Sequence, residues 1–398
     1  MAAQKVIIIG AGIAGPVLGI FLKLNGFNPV IYERLDGVTE AGLSLVLQPN
    51  GLHVLSEIPH FIDTLPGCTL KRFNAYSVVP TDVGLLGTSD IPTRMPAALG
   101  FGMHAVPRTA FHRAIISAAQ AHGVDVHWGH SLCGLEQTDG GVLVRFANGN
   151  SDMGAMVVGC DGLHSATRVA LFGEQKPDFL GLTQTGGISP TPPELAGEVA
   201  LTNVYGDGTH MISYPISETH SSWAVTLSEE EHKETWRAMD EEKQAAFRQS
   251  HFAKWEHGFG ALVTNAEKIV KYGLYDRPAL QTWHKGRVVL LGDAAHPTSP
   301  HLGQGANQAF EDVHLLVSLL AEHRASTLDT AMLGEIFATY EKARIPKSAA
   351  AVAGARKQGS ARVVRGEVGC KMRNDAIREV MKSDENMGAA YGHLYEKK

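Results

Sequence analysis

Short apolar runs that stop on glycine recur along the chain. Val6–Ile9 stops at Gly10, Met156–Cys160 runs into Asp161-Gly162, and Val288–Leu291 stops at Gly292-Asp293. Runs this short and continuous suit strands buried on both faces. After the first, Val17, Leu18, Phe21 and Leu24 fall at helical spacing and Gly26 closes the helix. Pro29–Tyr32 then returns as a second strand ending at Glu33. After the third, Pro297 and Pro300 keep any helix from forming until Gly303-Gln304-Gly305 opens one. Its apolar residues Ala306, Ala309, Phe310, Val313, Leu316, Val317 and Leu320 share one face. The pattern predicts helix from there through Glu341, an interruption at Pro346, and helix again over Arg344–Lys398.

Between these units the period changes. Gly42–Asn50 reads as a strand and turn before a helix, and Gly67–Asp90 as short strands broken by Gly and Pro. Phe101–Val106 is a strand, with Arg108 at its end and a helix over Thr109–His122. Val126–Trp128 and Val142–Phe146 are two more. Residues 180–228 carry alternating runs at Ala200–Tyr205, His210–Tyr214 and Trp223–Leu227, which predict an antiparallel sheet. In the middle run His210, Ile212 and Tyr214 share a face. Ser228–Phe259 reads as a charged, solvated helical stretch and Glu267–Leu274 as a strand leading back. The expected fold is α/β: a Rossmann-like lobe built from 1–70, 100–178 and 275–345, an inserted β-sheet lobe from 71–99 and 179–274, and a helical C-terminal tail over 346–398.

Composition narrows the partners. The 398 residues are 44% hydrophobic and 19% charged, and the net charge of −6 disfavours nucleic acid. Cys68, Cys133, Cys160 and Cys370 form no metal-binding spacing, which points to a reduced, cytoplasmic protein without a metal site. No apolar run approaches the ~20 residues of a membrane span, so no membrane anchor is expected. Oligomeric state is left open.

The first unit carries recognisable chemistry. Gly10, Gly12 and Gly15 form G-x-G-x-x-G between strand and helix. The first permits a tight turn, the second lets a pyrophosphate approach the backbone, and the third lets helix and strand pack closely. Glu33 lies 23 residues after Gly10, near the ~20 at which an acid meets ribose hydroxyls. An acid there disfavours a 2′-phosphate, so the site suits FAD or NAD. No second fingerprint is visible, so one dinucleotide is held and any nicotinamide binds transiently. On spacing alone Asp161 is a helix cap and Arg108 a surface ion-pair partner.

Together these segments resemble the single-component FAD-dependent aromatic hydroxylases, of the salicylate, 4-hydroxybenzoate, 6-hydroxynicotinate and urate hydroxylase type, with related epoxidases. The resemblance spans Val6 to about residue 345. It rests on the fingerprint with Glu33, on Cys160-Asp161-Gly162 with Ser165–Arg168, and on Gly292–Pro297 with Pro300–Asn307. Gly42–Asn50 resembles the family's glycine-containing segment ending in Pro-Asn, although Leu43 and Ser44 replace the usual Ala and Gly. Val106–Phe111 resembles the segment whose arginine contacts the flavin side chain.

The resemblance implies that Gly10, Gly12, Gly15, Glu33, Arg34, Gly42, Ser44 and Arg108 hold FAD. It likewise implies that Asp161, Gly162, Asp293, Pro300, Gly303, Gly305, Ala306 and Asn307 complete that site. It implies reduction by NADH or NADPH, a flavin C4a-hydroperoxide formed with O2, and oxygen transfer to a small-molecule substrate by hydroxylation or epoxidation. A reductase or oxidase of the same fold, or a non-enzymatic flavin binder, is the alternative. The W-x-W-x-I-P signature of flavin halogenases is absent from every tryptophan. Several relatives place an arginine on the strand that here reads Gly208-Thr209-His210-Met211. Its absence leaves His210 and Tyr214 as candidate catalytic groups and predicts a neutral or weakly acidic hydrophobic substrate.

Overall fold

The structure, a computed structural model, describes residues 3–40, 42–231, 239–324 and 326–392. A six-stranded sheet runs in the order His284–Lys285, Val288–Leu290, Met156–Gly159, Lys5–Ile9, Asn28–Tyr32, Asp125–His127. All neighbours are parallel except the outermost hairpin pair. The three glycine-terminated runs are therefore adjacent, with Ile9 opposite Gly159 and Gly159 opposite Leu290. Their carboxyl ends meet at one edge, where ligands of open parallel sheets bind. Val6, Ile7, Ile8, Val157 and Val158 are fully buried, as continuous apolar strands require.

A seven-stranded sheet runs Lys268–Asp276, Asp178–Pro190, His220–Ser228, Thr209–Pro215, Ala200–Tyr205, Arg72–Ser77, Gly84–Ser89. The predicted antiparallel runs are there, but Ala200–Tyr205 also pairs in parallel with Arg72–Ser77 from far upstream. Period-2 patterning marks strands but not their partners, so this join was not legible.

Three helical expectations are corrected. The helix opened at Gly305 ends at Glu322, and the next, Thr330–Arg362, starts behind the Asp329 cap. That second helix runs through Pro346 without a break. A proline there costs about 3 kcal/mol, and packing on both sides offsets it, through Phe337, Tyr340 and Arg344 before it and Ser348, Ala351 and Ala355 after it. Ser228–Phe259 is not one solvated helix. Residues 232–238 lie outside the described residues, and the rest is Glu241–Arg248, a short turn at His251–Lys254, and the start of Phe259–Thr264. Among the described residues its aromatics face inward: Phe252 and Phe259 are buried in a cluster with Trp223, against which Phe247 and Trp255 pack.

Candidate active site

The first strand turns at Gly10 with φ +107°, where a Cβ would stand 2.5 Å from the Cys160 carbonyl of the neighbouring strand. At Gly15 a Cβ would stand 2.0 Å from the Gly10 carbonyl oxygen, so this glycine serves helix packing and does not line the cavity. A Cβ on Gly12 would meet nothing within 4 Å, because it would project into open cavity. Glu33 is fixed by backbone N–H donors, Ala11 at 2.8 Å and Leu35 at 3.0 Å, which hold its carboxylate at the rim with acceptor capacity to spare. The His112 Nε2–H donates to the Ala11 carbonyl at 2.6 Å and fixes the turn from behind. Burial lowers the His112 pKa, so the ring is a neutral donor.

Opposite lies the loop from Gly292 to Gly305. Asp312 holds it from the helix behind, accepting from Gly292 N at 3.0 Å and His296 Nε2 at 2.6 Å. Arg344, from the long Thr330–Arg362 helix, donates to the other Asp312 oxygen at 2.6 Å. Burial alone would raise the Asp312 pKa, but His296 and Arg344 outweigh it and hold the carboxyl below its usual range. Arg168 donates to the Ala294 and Ala295 carbonyls at 3.4 and 3.1 Å. Gln48 donates to those of Leu302 and Gly303 at 2.8 and 3.1 Å. The loop is thus tied at both ends. Arg108 and Asp293 face the same cavity, and burial lowers the Arg108 pKa while the Asp293 charge opposes that shift.

From this cradle the cavity continues into an apolar chamber. Its floor is the seven-stranded sheet, through Leu201, Ile212, Tyr214 and Trp223, and its flank is the helix Ile91–Leu99. Its far wall is the C-terminal helix Glu367–Met381, through Met372, Ile377 and Met381, continued by Met387. That helix is tied to the sheet side by Asn374, which donates to Ser77 Oγ at 3.0 Å and Asp82 at 2.7 Å. Tyr214 is half-buried, and loss of solvent around its hydroxyl raises its pKa. Ser44 Oγ donates to Ser222 Oγ at 2.7 Å, so the Tyr214 hydroxyl, 2.8 Å away, donates to Ser44. The whole cavity measures about 1530 Å³, well above the roughly 300–1,000 Å³ of a site for one small ligand.

Residues 3–355 match the family described as FAD binding domain. The chain belongs to this family. A 3-amino-4-hydroxybenzoate 2-monooxygenase of Streptomyces platensis, PtnB3, is 32% identical over 352 residues, covering 86% of this chain and 84% of that one. A 6-hydroxynicotinate 3-monooxygenase of Pseudomonas fluorescens is 27% identical over 353 residues, covering 87% and 89%. The crystal structure of Klebsiella pneumoniae HpxO complexed with FAD and uric acid shares the fold, with a TM-score of 0.85 at 22% identity over 98% of this chain and 97% of that chain. The protein is an FAD-dependent monooxygenase that draws electrons from NAD(P)H.

The cradle fits FAD on its own geometry: a glycine whose missing side chain leaves room, an anchored acid, and a cavity of two-ligand size. Of the residues expected to bind the cofactor, thirteen line the monooxygenase cavity: Gly10, Gly12, Glu33, Arg34, Ser44 and Arg108, then Asp161, Gly162, Asp293, Pro300, Gly303, Gly305 and Ala306. Three do not. Gly15 packs as described. Gly42, at φ +87°, leaves room for the Arg108 side chain, since a Cβ would stand 2.6 Å from its Cδ. Asn307 is fully buried, accepts from Gln48 N at 3.0 Å and donates to the Val46 and Gly303 carbonyls, joining strand to loop.

The cap of the Ala166–Phe172 helix is Ser165, and Asp161 braces it from upstream, accepting from Ser165 Oγ at 2.5 Å and from Thr167 N of the first turn at 2.9 Å. Burial outweighs these bonds and raises its pKa. His210 shares its strand face with Tyr214 but is fully buried and does not line the cavity. Its Nε2–H donates to Asn203 Oδ1 at 2.9 Å. The expectation of a neutral substrate rested on a strand without arginine. The tertiary structure brings Arg362 to the neighbouring strand from the C-terminal end of the long helix, which removes that premise.

Proposed function

We propose that this monooxygenase hydroxylates an electron-rich aromatic ring held in the apolar chamber between the seven-stranded sheet and the C-terminal helices. The observation that carries this reading is the continuity of one cavity from the Gly12–Glu33 cradle, past Pro300 and Gly303, to Tyr214 and the methionine-lined wall. Bound FAD supplies two-electron reduction by NAD(P)H and the activation of O2, chemistry that no side chain provides. The chain's part is to place and seal. Glu33 would accept from ribose hydroxyls, Gly12 would admit the pyrophosphate, and Asp293 and Arg108 would flank the flavin side chain. The N-terminus of the Gly305–Glu322 helix presents backbone N–H groups and partial positive charge, which favour a negative ring beside them.

Tyr214 is the candidate for orienting the substrate. Its proton is directed to Ser44, which leaves the phenolic oxygen as an acceptor for a substrate O–H or N–H. Curated relatives are named for action on hydroxylated aromatic acids, which supports hydroxylation over epoxidation. The test is NADH and NADPH oxidation in air with the purified yellow protein across phenols, hydroxybenzoates and indoles. A compound that accelerates oxidation and returns with one added oxygen atom supports the reading. Reduction of the flavin without oxygen insertion for any compound overturns it in favour of a reductase or oxidase.

A further inference from the structure

At one corner of the chamber a connected group of polar side chains interrupts the apolar lining. Arg362, the last residue of the long helix, lines the cavity and is 8% exposed. Its Nη1 donates to His301 Nδ1 at 3.2 Å, and its Nη2 donates to Asn203 Oδ1 at 3.4 Å. The same Asn203 oxygen accepts from His210 Nε2 at 2.9 Å. With its oxygen engaged by two donors, Asn203 has its side-chain NH2 left to offer, and Asn203 also lines the cavity.

His210 and His301 are neutral. Burial holds both pKa values down, the Arg362 charge adds to the effect, and His301 falls to about 3. Positive charge at this corner is therefore carried by the guanidinium. Arg373, the other buried arginine of this wall, has a different task. It donates to Gly206 O at 2.9 Å and to Asn374 Oδ1, and it stacks over Tyr205.

We propose that Arg362 and the Asn203 side-chain amide form the anchor for an ionised oxygen of the substrate, a carboxylate or a phenolate, opposite the methionine-lined wall. This deepens the hydroxylase reading and rests on it. A guanidinium presents N–H donors in a fork that matches two acceptor lone pairs. Because Arg362 is buried, that attraction is little screened by solvent. The substrate class is then an aromatic with one acidic oxygen at one end and apolar substituents at the other. The arginine missing from the strand at Gly208–Met211 is replaced from the far end of the chain.

The test titrates the FAD-loaded enzyme with matched pairs at mildly alkaline pH, where 4-nitrophenol is ionised, following flavin absorbance and tryptophan fluorescence. Benzoate against benzamide probes a carboxylate, and 4-nitrophenol against 4-nitroanisole probes a phenolate. One member of each pair is anionic. In the wild type the anion of at least one pair should bind roughly ten- to a hundredfold more tightly than its neutral partner. Arg362→Gln should bring that ratio close to one with FAD content unchanged, and Arg362→Lys should keep part of it. Asn203→Asp, which sets a carboxylate at the same corner, should also abolish the preference, so the test stands even if Arg362→Gln fails to fold. No anion preference in the wild type, or a preference that survives both Arg362→Gln and Asn203→Asp, overturns the anchor. An anion preference without any oxygen transfer leaves the anchor standing and overturns the hydroxylase reading instead.

Discussion

The two ends of the cavity are built by different means. The cradle is made of backbone. Three strand ends in register, glycines at the turns and a helix N-terminus shape it, and its acid is held by main-chain N–H groups. The chamber is made of side chains from separate places: Ile91–Leu99, the seven-stranded sheet, the end of the long helix and the C-terminal helix. A backbone cradle can serve one cofactor across a family, because the chain's local conformation is the recognition element. A side-chain chamber can change one wall at a time, which suits a part that distinguishes substrates.

The largest effect should come from Asp312, through which two helices of the C-terminal half hold the cradle loop. Asp312→Asn removes the charge that Arg344 and His296 share and leaves the guanidinium buried without it. Loss of about 3–5 kcal/mol is expected, read by urea unfolding, together with weaker flavin retention. The sign with pH follows from the lowered pKa of Asp312. Its contribution is present above the unfolded carboxylate value of about 4 and is lost as pH falls through the folded value. The wild type should therefore lose more stability on acidification than Asp312→Asn, in which Asp82, Asp152 and Glu341 still supply an acid limb. Equal profiles would mean that the helix does not support the loop energetically.

Next in size is a pair of glycine substitutions that separates folding from binding. Gly10→Ala meets the Cys160 carbonyl and keeps an unfavourable φ, so about 1–3 kcal/mol of stability should go along with the flavin. Gly12→Ala meets no protein atom. The apoprotein should keep its melting temperature to within about 0.5 kcal/mol of stability, while FAD affinity drops. If Gly12→Ala binds FAD normally, the cradle is not where the pyrophosphate lies.

Tyr214→Phe deletes one hydroxyl at the chamber end. The expected loss is about 1 kcal/mol in substrate binding or turnover, roughly fivefold, with flavin content unchanged. An unaltered KM and unaltered coupling of NAD(P)H oxidation to product would remove Tyr214 from substrate orientation. The smallest effect should be that of Arg94→Ala. Arg94 pairs with Asp384 at 2.6 Å across the chamber mouth, but both side chains are more than half exposed. Thermal stability should change by about 0–1 kcal/mol. A larger loss would show that this wall contributes more to stability than a surface ion pair allows.

The sequence by itself determined the cradle. Gly10–Gly15 with Glu33, the Asp161-Gly162 turn and the Gly292–Gly305 loop are contiguous units whose function follows from local conformation, and local conformation is what short-range pattern encodes. Pro346 misled the helix reading, because propensity describes an isolated helix while Arg344 and Tyr340 pin this one to its neighbours. Only the tertiary structure decided the rest. It buried His210 and left Tyr214, on the same strand face, at the cavity. It set Gly42 and the Asn307 side chain in packing positions off the cavity, and it made a helical tail into one wall of the chamber. Arg362 and Asn203 are 159 residues apart, and no periodicity or motif relates positions at that distance. Their meeting is fixed by how helix and sheet pack, and packing is a property of the whole chain.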